Sequence, residues 1–390
     1  MESSQYLIEL SKCVRCGSCK AFCPTYDEDS TEAMGARGRL VLLWGLSTGQ
    51  LAPSPLLNER IFSCMLCGAC SGLCPTGIDF KEVIYHGRSL LKKTDKKRRY
   101  LRLFTRFSAK RPKLSFRLLS MTQYILFPYL LKKGLIPFKP ELSERNPKER
   151  LQVYTVPKKK GRIAIFTGCA VNFLYPHLGE SLINVLHILG YEVILPSGEV
   201  CCGTPLRTLG LEEEAIGLAK KNVEIFNRLN VDAVLSLCPT CTLTIKSEYP
   251  KLIGEGIDKA TDISIFFLDK LNSSLFSPLP PLKGAVFHDP CHLKYGLGIE
   301  REPREIIGNI GIDLIQTEGE RCCGFGGIFN LSYKKLSPGI LNKCIRDYMK
   351  AGAEMIITSC PGCMIQLTKG FENKPVLHLI EVIEEACTSG

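Results

Sequence analysis

Eighteen of the twenty cysteines fall into two duplicated patterns, and no other feature of the sequence restricts the fold as much. Cys13, Cys16, Cys19 and Cys23 precede Pro24, and Cys64, Cys67, Cys70 and Cys74 precede Pro75. Both sets read C-x2-C-x2-C-x3-C-P, and they stand 51 residues apart. Cys169, Cys201, Cys202, Cys238 and Cys241 form a third set. Cys291, Cys322, Cys323, Cys360 and Cys363 form a fourth, offset from it by 121 or 122 residues. Such regularity marks duplication. Only Cys344 and Cys387 stand outside the pattern, and both are expected to pack as apolar side chains. A chain of 390 residues, 45% of them apolar, has core enough to fold without disulfides. Met1 to Ser4 lacks the basic and apolar regions of a secretion signal, so the expected location is the reducing cytoplasm. Twenty thiols there need a purpose, and metal or cluster ligation is the first to consider.

The repeats divide the chain into a front domain over 1–91, a basic helical connector over 92–160, and two copies of a module over 161–271 and 283–390. Leu275 to Leu282 (LFSPLPPL) reads as the linker between the copies. Lys92 to Arg117 holds twelve Lys and Arg against Asp95 alone, which accounts for the net charge of +11. The rest of the chain is balanced, so a uniformly basic nucleic-acid binder is excluded. Tyr100, Leu103, Phe104 and Phe107 interleave with the connector's arginines. A solvated basic helix face is the plain expectation; an amphipathic dock on the inner face of a membrane is the sharper one. Leu118 to Leu131 is apolar but has only 14 residues and contains Pro128, too short to span a bilayer.

C-x2-C-x2-C-x3-C-P is the bacterial ferredoxin pattern: three cysteines converge on one cubane, and the fourth is directed to the other cluster. This places Cys13, Cys16, Cys19 and Cys74 on one [4Fe–4S] and Cys64, Cys67, Cys70 and Cys23 on a second. Tetrahedral zinc, the rival, favours two separated C-x2-C pairs over four cysteines on one short loop. Leu40 to Trp44 is expected to pack a helix between the motifs.

In the first module, apolar runs at Ile163–Phe166, Tyr191–Leu195 and Val231–Leu237 read as strands, each ending near a cysteine group. Helical spacing links Leu178 to Leu189 and Ala219 to Leu229. The second module repeats the order, with strands at Ala285–Phe287, Ile312–Ile315 and Met355–Ile357 and helices near Pro303–Ile310 and through Leu341 and Tyr348. The fold class is therefore α/β: a mostly helical ferredoxin-type domain followed by two duplicated α/β modules with parallel sheets. Ligands then sit beyond the carboxyl ends of the strands. Five cysteines per module exceed the four corners of a cubane. An opened, non-cubane [4Fe–4S] in each module is the expectation; one four-ligand cubane, or zinc, or a redox dithiol, are the alternatives.

The spacings C-x31-C-C-x35-C-x2-C and C-x30-C-C-x36-C-x2-C resemble the CCG cysteine-rich domains of heterodisulfide reductases. The whole order resembles the iron–sulfur subunits of the glycolate oxidase and lactate dehydrogenase type. Cys23-Pro24-Thr25-Tyr26, Ala36-Arg37-Gly38-Arg39-Leu40 and Cys74-Pro75-Thr76-Gly77 are most similar to the glycolate oxidase form. Those subunits often carry one incomplete C-x2-C, whereas both are intact here. The resemblance implies an electron-transfer subunit beside a flavin-containing partner that oxidises a 2-hydroxy acid, with electrons leaving toward a quinone or other carrier. Neither a G-x-G-x-x-G nor a P-loop is present, so no flavin or nucleotide site is assigned to this chain. The alternative is a catalytic disulfide reductase with His292, in His288-Asp289-Pro290-Cys291-His292, as proton donor. His288 and Asp289 read as structural. His177 is expected to cap the helix that starts near Leu178, and Arg37 and Arg39 either offset cluster charge, dock a partner or form surface ion pairs.

Overall fold

Short helices dominate the front of the molecule because proline, glycine and capping residues punctuate its sequence. Ser54 accepts a hydrogen bond from Leu57 N at 3.1 Å, with Pro55 in the first turn, and so begins Pro55–Phe62. Asp79 does the same for Phe80–Leu91 through Glu82 N at 3.2 Å. Val83, Ile84 and Leu91 bury one face of that helix against Ile61 and Phe62. Leu40 and Leu43 of Ala36–Ser47 enter the same core, while Trp44 at their side is 38% exposed. The computed structural model describes residues 3–132, 152–271 and 284–388, except 318 and 320, and only the backbone of 3, 113, 125 and 131. The linker expected at Leu275–Leu282 lies outside the described residues, as does 133–151 of the connector.

The first module is a five-stranded sheet of β1 (Gln152–Tyr154), β2 (Gly161–Ile165), β3 (Tyr191–Leu195), β4 (Ala233–Ser236) and β5 (Ala260–Asp262), in the order β1-β3-β2-β4-β5. All pairings are parallel except β1 with β3. The second module pairs β6 (Ala285–His288), β7 (Met355–Thr358) and β8 (Val376–His378), all parallel. β4, β6 and nearly all of β7 are wholly buried, which is why they read as continuous apolar runs rather than alternating ones. The strand expected at Ile312–Ile315 is reduced to one bridge from Leu314 to Ala285. One apolar cluster runs through both modules, from Ile163 and Leu182 to Phe287 and Ile383. The modules therefore share a core. Cys344 is fully buried in the second module, and Cys387 packs at the edge of the shared core.

The connector needs two corrections. Its described end is not helical, because Gln152–Tyr154 adds β1 to the sheet. Its basic face is also not uniformly solvated. Arg98 and Arg102 are buried around Asp95, and Arg102 Nε donates to the Leu209 carbonyl at 3.1 Å. The remaining face of Arg99–Lys110 and Pro112–Lys132 exposes Tyr100, Leu103, Phe104, Phe107, Met121 and Tyr124. No described helix is long and apolar enough to cross a membrane.

Candidate iron–sulfur sites

The two front motifs fold into the same loop. Arg15 and Leu66 both have φ +59°, and Gly17 and Gly68 follow at +88° and +83°. Left-handed glycine lets each loop curl its three cysteines inward. One cavity of about 20 Å³ is lined by Cys13, Cys16, Cys19 and Cys74. A second, of about 30 Å³, is lined by Cys64, Cys67, Cys70 and Cys23. The fourth cysteine of each motif thus meets the first three of the other. All twenty cysteines are free thiols, and four converging thiols are the donor set an iron–sulfur cluster takes. The Thr25 hydroxyl stands 3.4 Å from Cys23 Sγ, and the Thr76 hydroxyl 3.3 Å from Cys74 Sγ. Hydrogen bonds to ligand sulfur are a lever on cluster potential.

Two arginines brace the second loop. Arg39 is 1% exposed, lines the second cavity, and donates to Thr25 Oγ1, Ser63 Oγ and the Arg60 carbonyl at 2.8–3.0 Å. It is a buried positive charge beside a thiolate site, whereas Arg37 forms an ion pair with Glu32 near the surface. Arg88 is equally buried and donates to the carbonyls of Ile61, Phe62, Cys64 and Thr208. Burial pulls its guanidinium down to about 10.

The ten cysteines of the modules lie in one file. Cys169 Sγ is 4.0 Å from Cys201 Sγ, and hydrogen bonds run on from Cys201 to Cys202, Cys241 and Cys238. Cys238 then bonds to Cys360 across the module boundary. From there the contacts pass to Cys363, to Cys323 at 3.4 Å, then to Cys322 and Cys291. Each module supplies five thiols, each in contact with the next, a set large enough for a four-iron cluster. Gly203 and Gly324 turn the Cys-Cys pairs at φ +92° and +82°, and a Cβ on Gly324 would stand 2.7 Å from the Ser337 carbonyl. His288 adds a ring nitrogen to the second set: its ligand atom and those of Cys323 and Cys363 lie within 4.8 Å of one another.

His292, the candidate proton donor, stands between three cysteine loops. Its Nδ1 is 2.8 Å from the Thr240 hydroxyl and its Nε2 2.9 Å from the Leu66 carbonyl, so both nitrogens are engaged. Burial, with Lys81 nearby, holds its pKa at about 4. The neutral ring donates from Nε2, accepts at Nδ1 and so braces these loops. The expectation for His177 is corrected: it lies inside the first turn of Pro176–Ile188, 3.5 Å from Glu381, instead of capping the helix. Asp289 forms a bidentate pair with Arg304. The sequence reading missed a buried ion network between front and back. Lys81 and Glu82 of the front domain meet Glu248 and Arg207 of the first module at 2.6–3.2 Å. No motif marks these four residues; they become partners only when the domains dock.

Comparison with known proteins fits this arrangement. Residues 9–78 match the 4Fe-4S dicluster domain, and residues 163–246 and 285–368 each match the CCG cysteine-rich domain. The chain belongs to the iron–sulfur proteins that join these two kinds of domain. Within that family it is 30% identical to an iron–sulfur protein of Methanocaldococcus jannaschii, over 91% of this chain and 67% of that one. It is 25% identical to a probable glycolate oxidase iron-sulfur subunit of Bacillus subtilis, over 97% and 94% of the two chains. It is 27% identical to one subunit of the dihydromethanophenazine:CoB–CoM heterodisulfide reductase of Methanosarcina barkeri, again over 97% and 94%. The chain is of the iron–sulfur oxidoreductase subunit class.

Proposed function

We propose that this chain is the electron-transfer subunit of a flavin-linked dehydrogenase acting on a 2-hydroxy acid such as glycolate or lactate. The observation that carries this reading is the continuity of the thiols. The second front cavity abuts the module file, with Cys291 close enough to Cys67 to push its thiol pKa up, after burial. Leu66, in that cavity's loop, is joined to His292 beside Cys291. Iron–sulfur clusters move single electrons, so the two-electron oxidation of an organic substrate is assigned to a flavin on a partner subunit. In this reading the front cysteines hold two cubane [4Fe–4S] clusters in the crossed grouping, and each module holds one further [4Fe–4S] on its five cysteines.

The chain's own residues supply rigidity and insulation. Arg39 and Arg88 fix the second loop, and the Lys81, Glu82, Arg207 and Glu248 network holds it against the first module. We also assign the exposed apolar and basic residues of the connector helices to the inner face of a membrane, with the protein in the cytoplasm. The test is purification from native cells under anaerobic conditions. A flavin subunit is expected to co-purify and, with glycolate or lactate, to bleach the visible absorbance of this chain. A stable flavin-free homomer would overturn the assignment. The disulfide reductase alternative keeps one favourable feature, two complete five-cysteine sets, and predicts that added thiols perturb an EPR signal.

A further inference from the structure

A cavity of about 140 Å³ lies between the connector helices and the first module. Thr105, Ser108 and Ala109 of Arg99–Lys110, with Pro112 and Phe116 of Pro112–Lys132, form one wall. Cys169 and Cys201 reach it from the module side, whereas Cys202, Cys238 and Cys241 do not line it. The cavity thus sits at the outer end of the cysteine file. Phe116 and Phe173, both lining it, stack with centroids 3.9 Å apart and planes 3° from parallel, which makes part of the wall flat and aromatic.

The lining defines the chemistry of what fits. No lysine, arginine or histidine is among the described lining residues, so a carboxylate or phosphate would enter without a counter-charge from them. Glu199, the carboxylate present, accepts hydrogen bonds from Thr167 N, the Thr167 hydroxyl and Gly168 N. Two buried polar atoms of the lining, Ser108 Oγ and Asn172 Oδ1, have no hydrogen-bond partner among the described residues. An unpaired buried polar atom costs about 1–3 kcal/mol, so such atoms mark where polar atoms of a ligand belong. A void of about 150 Å³ accommodates one benzene-sized ring. The occupant is therefore neutral, flat, one ring across, and able to exchange hydrogen bonds with a hydroxyl and an amide oxygen.

We propose that this cavity binds the ring of a quinone-type electron acceptor beside Cys169 and Cys201. The Ser108 hydroxyl donates to a ring carbonyl, and Asn172 Oδ1 accepts from the hydroxyl present after reduction. The proposal rests on the electron-transfer reading above and names its acceptor. The overall exchange balances: a 2-hydroxy acid loses two electrons and two protons to become a 2-oxo acid, and the quinone gains two of each to become a quinol. The other face of the same two helices exposes Leu103, Phe104, Phe107, Leu114 and Leu118, apolar surface suited to the lipid phase in which long-tailed quinones dissolve.

The test is calorimetric titration of the iron-loaded full chain, held oxidised, with the single-ring probe duroquinone. One equivalent is expected to bind. Ala109→Phe, which fills the cavity, weakens binding at least tenfold, and Ser108→Ala about fivefold, with iron content and visible spectrum unchanged. An azido-quinone is expected to label the 105–116 or 167–173 peptide. Unaltered binding in Ser108→Ala together with labelling elsewhere overturns the proposal. So does binding only to iron-free protein, which would give the space to the cluster, or equal competition by lactate or a charged disulfide. No substrate or flavin subunit enters the titration, so a negative result rejects the quinone site and leaves the electron-transfer reading to the co-purification experiment.

Discussion

Glu248→Gln tests whether charge clamps the front domain onto the modules. Glu248 is 5% exposed, with carboxylate oxygens 2.6 Å from Lys81 Nζ and 3.2 Å from Arg207 Nη1. Burial alone would raise its carboxyl pKa, but Lys81 and Arg207 outweigh burial and hold it at about 2. Measured against an ordinary 4.5, at about 1.4 kcal/mol for each tenfold change in proton affinity, this corresponds to about 3 kcal/mol. The folded-state value lies below the unfolded one. The stabilisation is therefore fully present above pH 4.5 and fades as the pH falls from there through 2. At pH 7 glutamine keeps the shape and removes the charge, leaving the Arg207 guanidinium with Glu82 and the Lys81 ammonium without its carboxylate. The expected loss is about 2–4 kcal/mol in anaerobic urea unfolding followed by circular dichroism. Lys81→Met in the same background should cost much less than it does alone, with a coupling above about 1 kcal/mol. A Glu248→Gln variant within about 0.5 kcal/mol of the parent, or strictly additive effects, would refute the reasoning.

Anaerobically prepared protein should carry about sixteen irons, four for each cysteine set, whereas about eight would confine clusters to the front domain. Cys23→Ser should alter the EPR signal that Cys67→Ser alters and leave the Cys16→Ser signal alone; the reverse pattern would show that each motif serves its own cluster. Arg88→Met strands the carbonyls of Ile61, Phe62, Cys64 and Thr208 and should destabilise by about 3–5 kcal/mol in the same urea assay. Gly324→Ala, at φ +82° and crowded by the Ser337 carbonyl, should cost more than about 2 kcal/mol. Gly352→Ala, at φ +83° with nothing within 4 Å, should cost only the backbone strain of about 1 kcal/mol. Equal losses in the two variants would remove the steric argument.

The cysteine inventory was legible because ligand spacing is local: three thiols on one tight loop announce their chemistry within seven residues. Tyr191–Leu195 was legible for a similar reason, as an apolar run bounded by Gly190 and Pro196, and it forms β3 over those residues. Ile312–Ile315 carries the same kind of pattern yet makes a single bridge, since a strand exists only if a neighbour pairs with its whole length. β1 lay within a stretch read as connector, and its three residues become a strand only beside β3.

Sequence alone determined which thiols are available and that the modules are duplicates. Tertiary structure decided how those thiols are grouped: Cys23 with Cys67, and Cys238 against Cys360, 122 residues away. It also turned Arg98 from a solvated charge into a buried brace, and gave His292 hydrogen-bond partners on two distant loops. The physical reason is common to all of these. A side chain's type is written in the chain, but its charge, hydrogen bonds and solvent access depend on partners that meet only when distant segments fold together.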